Sequence, residues 1–437
     1  MTRLFFVVIQ VLAGFVVTTS YSTANLIDDA KLDPSIQLLL GLQHGTGINY
    51  GFGAIDSTDQ KNRSTLSLAV KPGLKTQINL PNSHIYSGVS LVAATTSLDG
   101  EISGQVAKSG DQALDFDHSY IGWKNSVLDI SVGAQDFTIG DGFIIGDGNY
   151  NQGAENGQYW IGAFSAWRNS FVVRLNFKKF LTELFWLRTD NDFRDGRIVG
   201  ANFEYRDDRY GELGISTVHV LEGDAFNLRG MQAWSFRVAD FRPVRIKGLK
   251  FFGEWVLQKG VDDQAGGRKN AAFGWYIENE YHVPLGFYTP IINYRYSNLS
   301  GDDLETEKNE GYRGLYYTIF KRGWDTWYQG EIAGEYHLFN SNQITQMFKL
   351  KLPLSKTSFA VIYYYDHELH EKHYVNRRVN SKKWSSELNL GLEQIKSSGF
   401  YGYFGVALSK PRSAAKEVFG NDDFFVVQTF LSYNFVR

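Results

Sequence analysis

The stretch FFVVQTFLSYNF, Phe424–Phe435, sets Phe425, Val427, Thr429, Leu431, Tyr433 and Phe435 on one side of an extended chain and Gln428, Ser432 and Asn434 on the other. Alternation of period two marks a strand with one dry and one wet face. The same pattern runs upstream. IVGANFEYR (198–206) opposes Val199, Ala201, Phe203 and Tyr205 to Asn202, Glu204 and Arg206. LKFFGEWVLQK (249–259), SFVVRLNF (170–177) and SELNLGLE (386–393) repeat it. Turn-rich clusters such as RDDRYGE (206–212), KGVDDQAGGRKN (259–270) and KSSG (396–399) separate these runs. The spacing predicts an all-β chain of about 18 strands, roughly 16 to 20. Neither a linker nor a break in composition follows Ala24, so residues 25–437 read as one domain.

Period two does not say which face meets water. The first residues, MTRLFFVVIQVLAGFVVTTSYSTA (1–24), help decide. Arg3 precedes an apolar run, Leu4–Val17, broken only by Gln10, and Ser22 and Ala24 stand at −3 and −1 of a cleavage site. That is the pattern of a secretory signal peptide cleaved near Ala24, and about 14 apolar residues are too few to span a bilayer as a helix. The chain has no cysteine, so neither disulfides nor thiolate-bound metals enter. A net charge of −3 gives no basic surface for nucleic acid. Aromatics are 15% of residues, with 44 glycines and only 8 prolines, and past the signal no apolar run is long enough for a membrane helix.

An exported chain of this kind is a soluble sandwich or a transmembrane antiparallel β-barrel. Tyr and Trp near strand ends, in GQYW (157–160), GWYIENEY (274–281), YRGLYY (312–317) and GWDTWYQGE (323–331), fit the aromatic girdles of a membrane barrel. Barrels of the bacterial outer membrane also finish on a strand like Phe424–Phe435, which the barrel-assembly machinery reads. The expected surroundings are membrane lipid and lipopolysaccharide.

With apolar faces to lipid, the polar faces line a lumen. Expected there are Arg174, Arg206, Arg237, Lys250, Arg295, Lys349 and Lys351, with Glu204, Glu254, Glu278 and Glu331; Glu212, Glu280, Glu335, Glu387 and Glu393 share the pattern. Mixed charge at this density is costly in a dry core and suits a hydrated channel, where rings of charge select the solute. The alternative is a lumen plugged by salt bridges.

Between two of the strands lies LDISVGAQDFTIGDGFIIGDG, Leu128–Gly148. It resembles the stretch of the alginate-export family of outer-membrane barrels in which a strand ends in a Gly-Arg-Gln-like tripeptide before a Gly-Asp-Gly-like turn. Here the tripeptide is Gly133-Ala134-Gln135, with alanine in place of the basic residue. The resemblance implies an 18-stranded barrel passing a polysaccharide or small hydrophilic, anionic solutes, with lumenal arginines and lysines guiding them. GDGFIIGDGN (140–149) lacks the lysine and hydroxyl residue of a phosphate loop. It lies in a connection of about 22 residues between strands ending near Gln135 and resuming near Tyr159, long enough to fold inward. Asp141, Asp147 and Glu155 are the expected constriction residues, held by glycine turns.

DHELHEKH (366–373) spaces His367, His370 and His373 three apart, a set open to a transition metal but read here as a solvated loop. GDDLETE (301–307) lacks the spacing of a calcium loop. Neither a nucleophile elbow nor a cofactor motif is present. The expected function is therefore a porin for passive diffusion, with no catalytic residue, cofactor or resident metal; a non-conducting adhesive barrel and a membrane enzyme are the alternatives.

Overall fold

A computed structural model of the chain describes residues 30–105, 108–146, 148, 161–189, 196–223, 228–262, 268–286, 288–317 and 329–436. The signal-peptide reading falls outside these residues, as do Asp147, Glu155 and the girdle stretches GQYW (157–160) and GWDTWY (323–328). Eighteen antiparallel strands form the wall. The first six are Ala30–Thr46 (β1), Asn62–Leu80 (β2), Ser83–Leu98 (β3), Gln112–Asn125 (β4), Leu128–Gln135 (β5) and Trp167–Phe177 (β6). The next six are Phe180–Arg188 (β7), Arg197–Asp207 (β8), Gly211–Glu222 (β9), Gln232–Phe241 (β10), Leu249–Asp262 (β11) and Arg268–His282 (β12). The last six are Ile291–Leu299 (β13), Gln343–Pro353 (β14), Ser358–Leu369 (β15), Lys383–Lys396 (β16), Phe400–Pro411 (β17) and Phe424–Val436 (β18). Each pairs with its sequence neighbours, and β18 returns to β1 in a register from Ser35↔Val436 to Thr46↔Phe425. Closure leaves no unpaired edge.

The connections differ sharply between the rims. Residues 81–82, 126–127, 178–179, 208–210 and 397–399 make tight turns at the rim where β1 begins and β18 ends. At the other rim the chain spends 47–61, 99–111, 136–166, 300–342 and 370–382.

The alternation resolves as an inverted protein. On β8 the side chains of Asn202 and Glu204 are buried inside the barrel while Phe203 is 45% exposed outside. On β11 Glu254 is buried and Trp255 is 56% exposed; on β16 Glu387 and Glu393 are buried and Leu390 and Leu392 exposed. Exposed Leu, Ile and Phe all round the outer surface would drive association in water, and are what a lipid-facing wall presents.

Part of the expected aromatic girdle is not there. Tyr276, Tyr312, Tyr316 and Tyr317 point into the barrel and are buried. The outer aromatics come instead from residues such as Phe180 and Phe203, whose rings stack 5.7 Å apart, and Tyr433 and Phe435, edge to face at 4.4 Å. Aromatics near strand ends announce a girdle or an infolded loop equally well, and here the loop took several of them.

Two long connections turn inward. Residues 136–146 lay Phe137, Ile139, Phe143, Ile144 and Ile145 against Val172, Phe185, Leu187, Ile198, Val218 and Val256 of the inner wall. The same connection returns through Ile161, Ala163 and Phe164, packed on Leu39, Ala69, Val92 and Ala94 of β1–β3. It joins β6 at Trp167, later than the Tyr159 expected. The second infolded segment, 329–342, carries a π-helical turn over Ala333–Leu338, with Phe339 N–H donating to Gly334 O at 3.1 Å. Its Ile332, Tyr336 and Leu338 pack on Ile102, Trp384, Phe424 and Val426.

Candidate pore interior

The inner wall beside the first infolded segment is charged but balanced. Arg237 on β10 is buried, its Nη2 donating to Glu204 Oε1 at 2.5 Å and its Nε lying 3.5 Å from Glu212 Oε1. Arg206 binds the other Glu204 oxygen through Nε at 2.9 Å and also reaches Glu212 at 3.4 Å. Asn202 donates to both Glu183 (2.8 Å) and Glu204 (3.0 Å), and Arg174 Nε donates to Glu183 at 2.9 Å. Glu254 accepts from Ser235 Oγ at 2.5 Å. Alternating acid and base lets buried ions solvate one another, which a cluster of a single sign does not.

Asp141 sits over this lattice, accepting from Tyr276 OH at 3.1 Å. Beneath it a cavity of about 320 Å³ opens between Arg206, Asp208, Glu212, Asp240 and Arg242. Gly140 makes the approach feasible: its φ is +57°, and a Cβ there would fall 2.6 Å from Arg237 Cδ.

Farther round, Lys250 lies 3.1 Å from Asp240 and 3.8 Å from Glu280. Asn293 donates to Glu278 at 2.8 Å, and Arg295, fully buried, stands 3.7 Å from Glu278. Lys351 pairs with Glu393 at 2.5 Å, and the Lys349 ammonium lies 5.6 Å from the Tyr363 ring centroid. Ten of the eleven lining residues expected from sequence therefore sit on the inner face of a strand. Glu331 does not: it enters from the infolded segment 329–342.

A third cluster was not read from the sequence. Asp117 on β4, completely buried, pairs with Lys71 of β2 and lies 3.1 Å from His118 Nδ1. It also accepts the Ser165 and Ala166 N–H groups at 3.0 and 3.1 Å. His118 Nε2 meets Asp136 at 3.0 Å, and Asp136 accepts from Ser165 Oγ at 2.8 Å. The two ends of the connection, Asp136 and Ser165-Ala166, are thus tied at one neck. Asp136 stays below the usual carboxylate range: burial opposes this, but the hydrogen bond and charge of His118 outweigh it. The sequence signal was the adjacent pair Asp117-His118, which interrupts period two where the β3–β4 register shifts by a bulge.

The sector of β1 and β16–β18 is different. Glu387 Oε1 and Oε2 accept the N–H groups of Ile332 (3.2 Å) and Ala333 (2.9 Å), fastening the second infolded segment to the wall. Gln428 donates to Glu331 at 2.8 Å, and Gln43 donates to Gln428 at 3.0 Å. Glu101 accepts from Ser103 and Gln105. Burial, with Glu387 nearby, pushes the Glu331 carboxyl up to about 7. Glu335 is held well above the usual range by burial and by Glu331, Glu101 and Glu387. His337, whose Nε2 meets Asn49 at 3.0 Å, is pushed down to about 3 by burial.

The three-histidine run is not a solvated loop. His367 lies on β15, fully buried, its Nε2 2.8 Å from Gln329 O and its ring stacked 5.7 Å from Tyr365. His370 accepts from Gly301 N–H at 3.2 Å, and His373 Nε2 lies 2.8 Å from Asp302 O. The three rings thus hold three different neighbours. Among the described residues no group of three His, Asp or Glu is placed to hold a metal ion. Asp302, from the acidic loop, is taken by Arg268 at 3.0 and 3.1 Å.

The fold has known counterparts. The chain superimposes on OccK5 (OpdH) of Pseudomonas aeruginosa with a TM-score of 0.57 at 11% identity, covering 95% of this chain and 100% of that one. For OccAB1 of Acinetobacter baumannii the TM-score is 0.59 at 10% identity, over 94% and 97%. For the outer membrane protein opdK of P. aeruginosa it is 0.57 at 10%, over 94% and 100%. At such identity the likeness is one of fold. No protein-family model matches the chain, and no curated protein matches it in sequence.

These likenesses do not support the alginate-export resemblance drawn from Leu128–Gly148. The structure gives a local reason for that motif. Gly133, at the bulge where β5 leaves the wall, has φ +118°, and a Cβ there would lie 2.2 Å from Ser119 O. Gly140 and Gly142 also have positive φ. A strand that turns inward needs such glycines whatever its family.

Proposed function

We propose that the chain is a channel of the bacterial outer membrane through which small hydrophilic solutes diffuse down their gradient. The observation that carries this is the inverted wall: a closed barrel with exposed Phe, Leu and Trp outside and charged residues inside, narrowed by infolded connections. Its short-turn rim faces the periplasm and its long connections face outward, as in barrels of this kind. The outer face of β18, Phe425 to Phe435, is the surface offered to the assembly machinery and then to lipid. The lining is the set named above, with Asp141 at the constriction.

A polyanionic polysaccharide has less support than a small solute. Arg174, Arg206, Arg237, Lys250 and Lys351 are each neutralised by a neighbouring carboxylate, so they do not form a positive track. Refolded protein in a planar bilayer should give discrete single-channel currents. Absence of current from protein that shows heat-modifiable migration would leave a structural or enzymatic barrel.

A further inference from the structure

The sector holding Glu331 and Glu335 contains a buried carboxyl, that of Glu335, that no hydrogen bond reaches among the described residues. Four carboxylates converge there: Glu331 and Glu335 from the second infolded segment, Glu387 from β16 and Glu101 from the 99–111 connection. Three of them have donors. Glu387 takes two backbone N–H groups and Asn389 Nδ2 (3.0 Å), Glu331 takes Gln428, and Glu101 takes Ser103 and Gln105. Glu335 accepts no hydrogen bond among the described residues, although it is only 6% exposed, and the groups acting on it are the other three carboxylates. Two nearby side-chain amides are spent elsewhere: Gln105 Nε2 on Tyr336 O at 2.6 Å, and Gln43 on Gln428. Arg63, the cation acting on Glu101, spends its two Nη groups on Asp56 and the Asp99 carbonyl; its Nε has no partner among the described residues, and the guanidinium acts on Glu101 rather than on Glu335. The buried amide oxygen of Asn389, beside Glu387, is likewise an acceptor without a donor.

A buried carboxylate with only acceptors around it is costly, and a charge-bearing donor relieves that cost. The carboxylates are not placed to enclose a metal ion. A nitrogen cation with several N–H groups matches the deficit: it brings positive charge and donates in several directions at once. We propose that Glu335, with Glu331, is a binding station for the ammonium or guanidinium group of a permeating solute. The inference rests on the channel reading and deepens it: the preferred solutes are small cations or zwitterions. Glu387, committed to the backbone of 332–333, positions the segment, and Glu335 is the side chain left to the solute.

The test uses full-length refolded protein in a planar bilayer in potassium chloride, with guanidinium chloride or butylammonium chloride added to one side. Wild type should show saturable, concentration-dependent reduction of current. Glu335→Gln, nearly isosteric, should raise the half-saturating concentration on the order of tenfold. Glu335→Asp should restore most of the effect, and Glu305→Gln at the outer rim should change nothing. Current that ignores both cations, or a wild-type response that survives Glu335→Gln, overturns the station and leaves the channel standing. So does a response to pH alone, which means the cluster holds protons. If wild type carries no current, the channel reading falls, and calorimetry of guanidinium binding to the detergent-solubilised protein decides. Binding lost in Glu335→Gln sustains the site, and absence of binding removes it.

Discussion

The two infolded connections solve one problem, holding polar backbone inside a barrel, with opposite electrostatics. The 136–166 connection is tied by compensated charge: Asp117 between Lys71 and His118, Asp136 on His118, and Asp141 above the Arg237–Glu204–Glu212 lattice. The 329–342 segment is tied by neutral donors and apolar packing, and its carboxylates face one another. Compensated charge fixes a segment rigidly at neutral pH. Carboxyls without counter-charges hold on to protons instead, and leave a segment whose charge depends on pH.

The largest expected effect breaks the first tie. Asp117→Ala strands Lys71 in the wall and frees the Ser165 and Ala166 N–H groups, a loss of about 4 kcal/mol. Hydrogen exchange should then rise across 161–166 and hardly at all across 332–338. Uniform change in both segments would mean that the neck does not hold the connection.

Next comes pH, with opposite signs for the two segments. The Asp136 carboxyl is lower in the folded protein than in the unfolded chain, so its tie is present at neutral pH and is lost as pH falls through the depressed value. Glu331 is raised to about 7. Its contribution is complete below the ordinary carboxylate value of about 4.5 and is lost as pH rises through about 7. Measured against the intrinsic base-catalysed rate, exchange in 332–338 should therefore accelerate as pH rises from about 4.5 through about 7, up to about tenfold per pH unit for each proton released, while 161–166 loosens only in acid. Guanidinium should blunt this rise. Parallel pH profiles in the two segments would erase the distinction.

The barrel was legible because closure writes period two into every strand: Phe203 against Glu204, Leu392 against Glu393. Which way the connections fold was less legible, since that depends on partners far away in sequence. Phe143-Ile144-Ile145 carry no local mark saying they will meet Val218 and Val256. YRGLYY passed for a girdle for the same reason. His367 was readable in hindsight, for Val361, Tyr363 and Tyr365 share its parity, but the polar run after Asp366 masked the strand's end. The shortage of donors around Glu335 is not a sequence property at all. It exists only once four distant carboxylates are folded together.

Smaller substitutions sharpen the picture at Asp141. Gly140→Ala puts a Cβ against the Arg237 side chain at a φ of +57°, and should cost about 2 kcal/mol, seen as faster exchange in 137–146. Tyr276→Phe is gentler. It removes only the hydroxyl that donates to Asp141 at 3.1 Å, leaving the ring on Phe143 at 5.5 Å, so the fold should lose about 1 kcal/mol. The consequence for permeation is larger than for stability. With that donor gone the Asp141 carboxylate carries less compensation beside Arg206 and Glu212, and the reversal potential in asymmetric salt should move toward cation selectivity. Asp141→Asn should move it the other way. If neither substitution changes selectivity, Asp141 anchors the segment without facing the permeant, and the narrow part of the path belongs to the Glu335 sector alone.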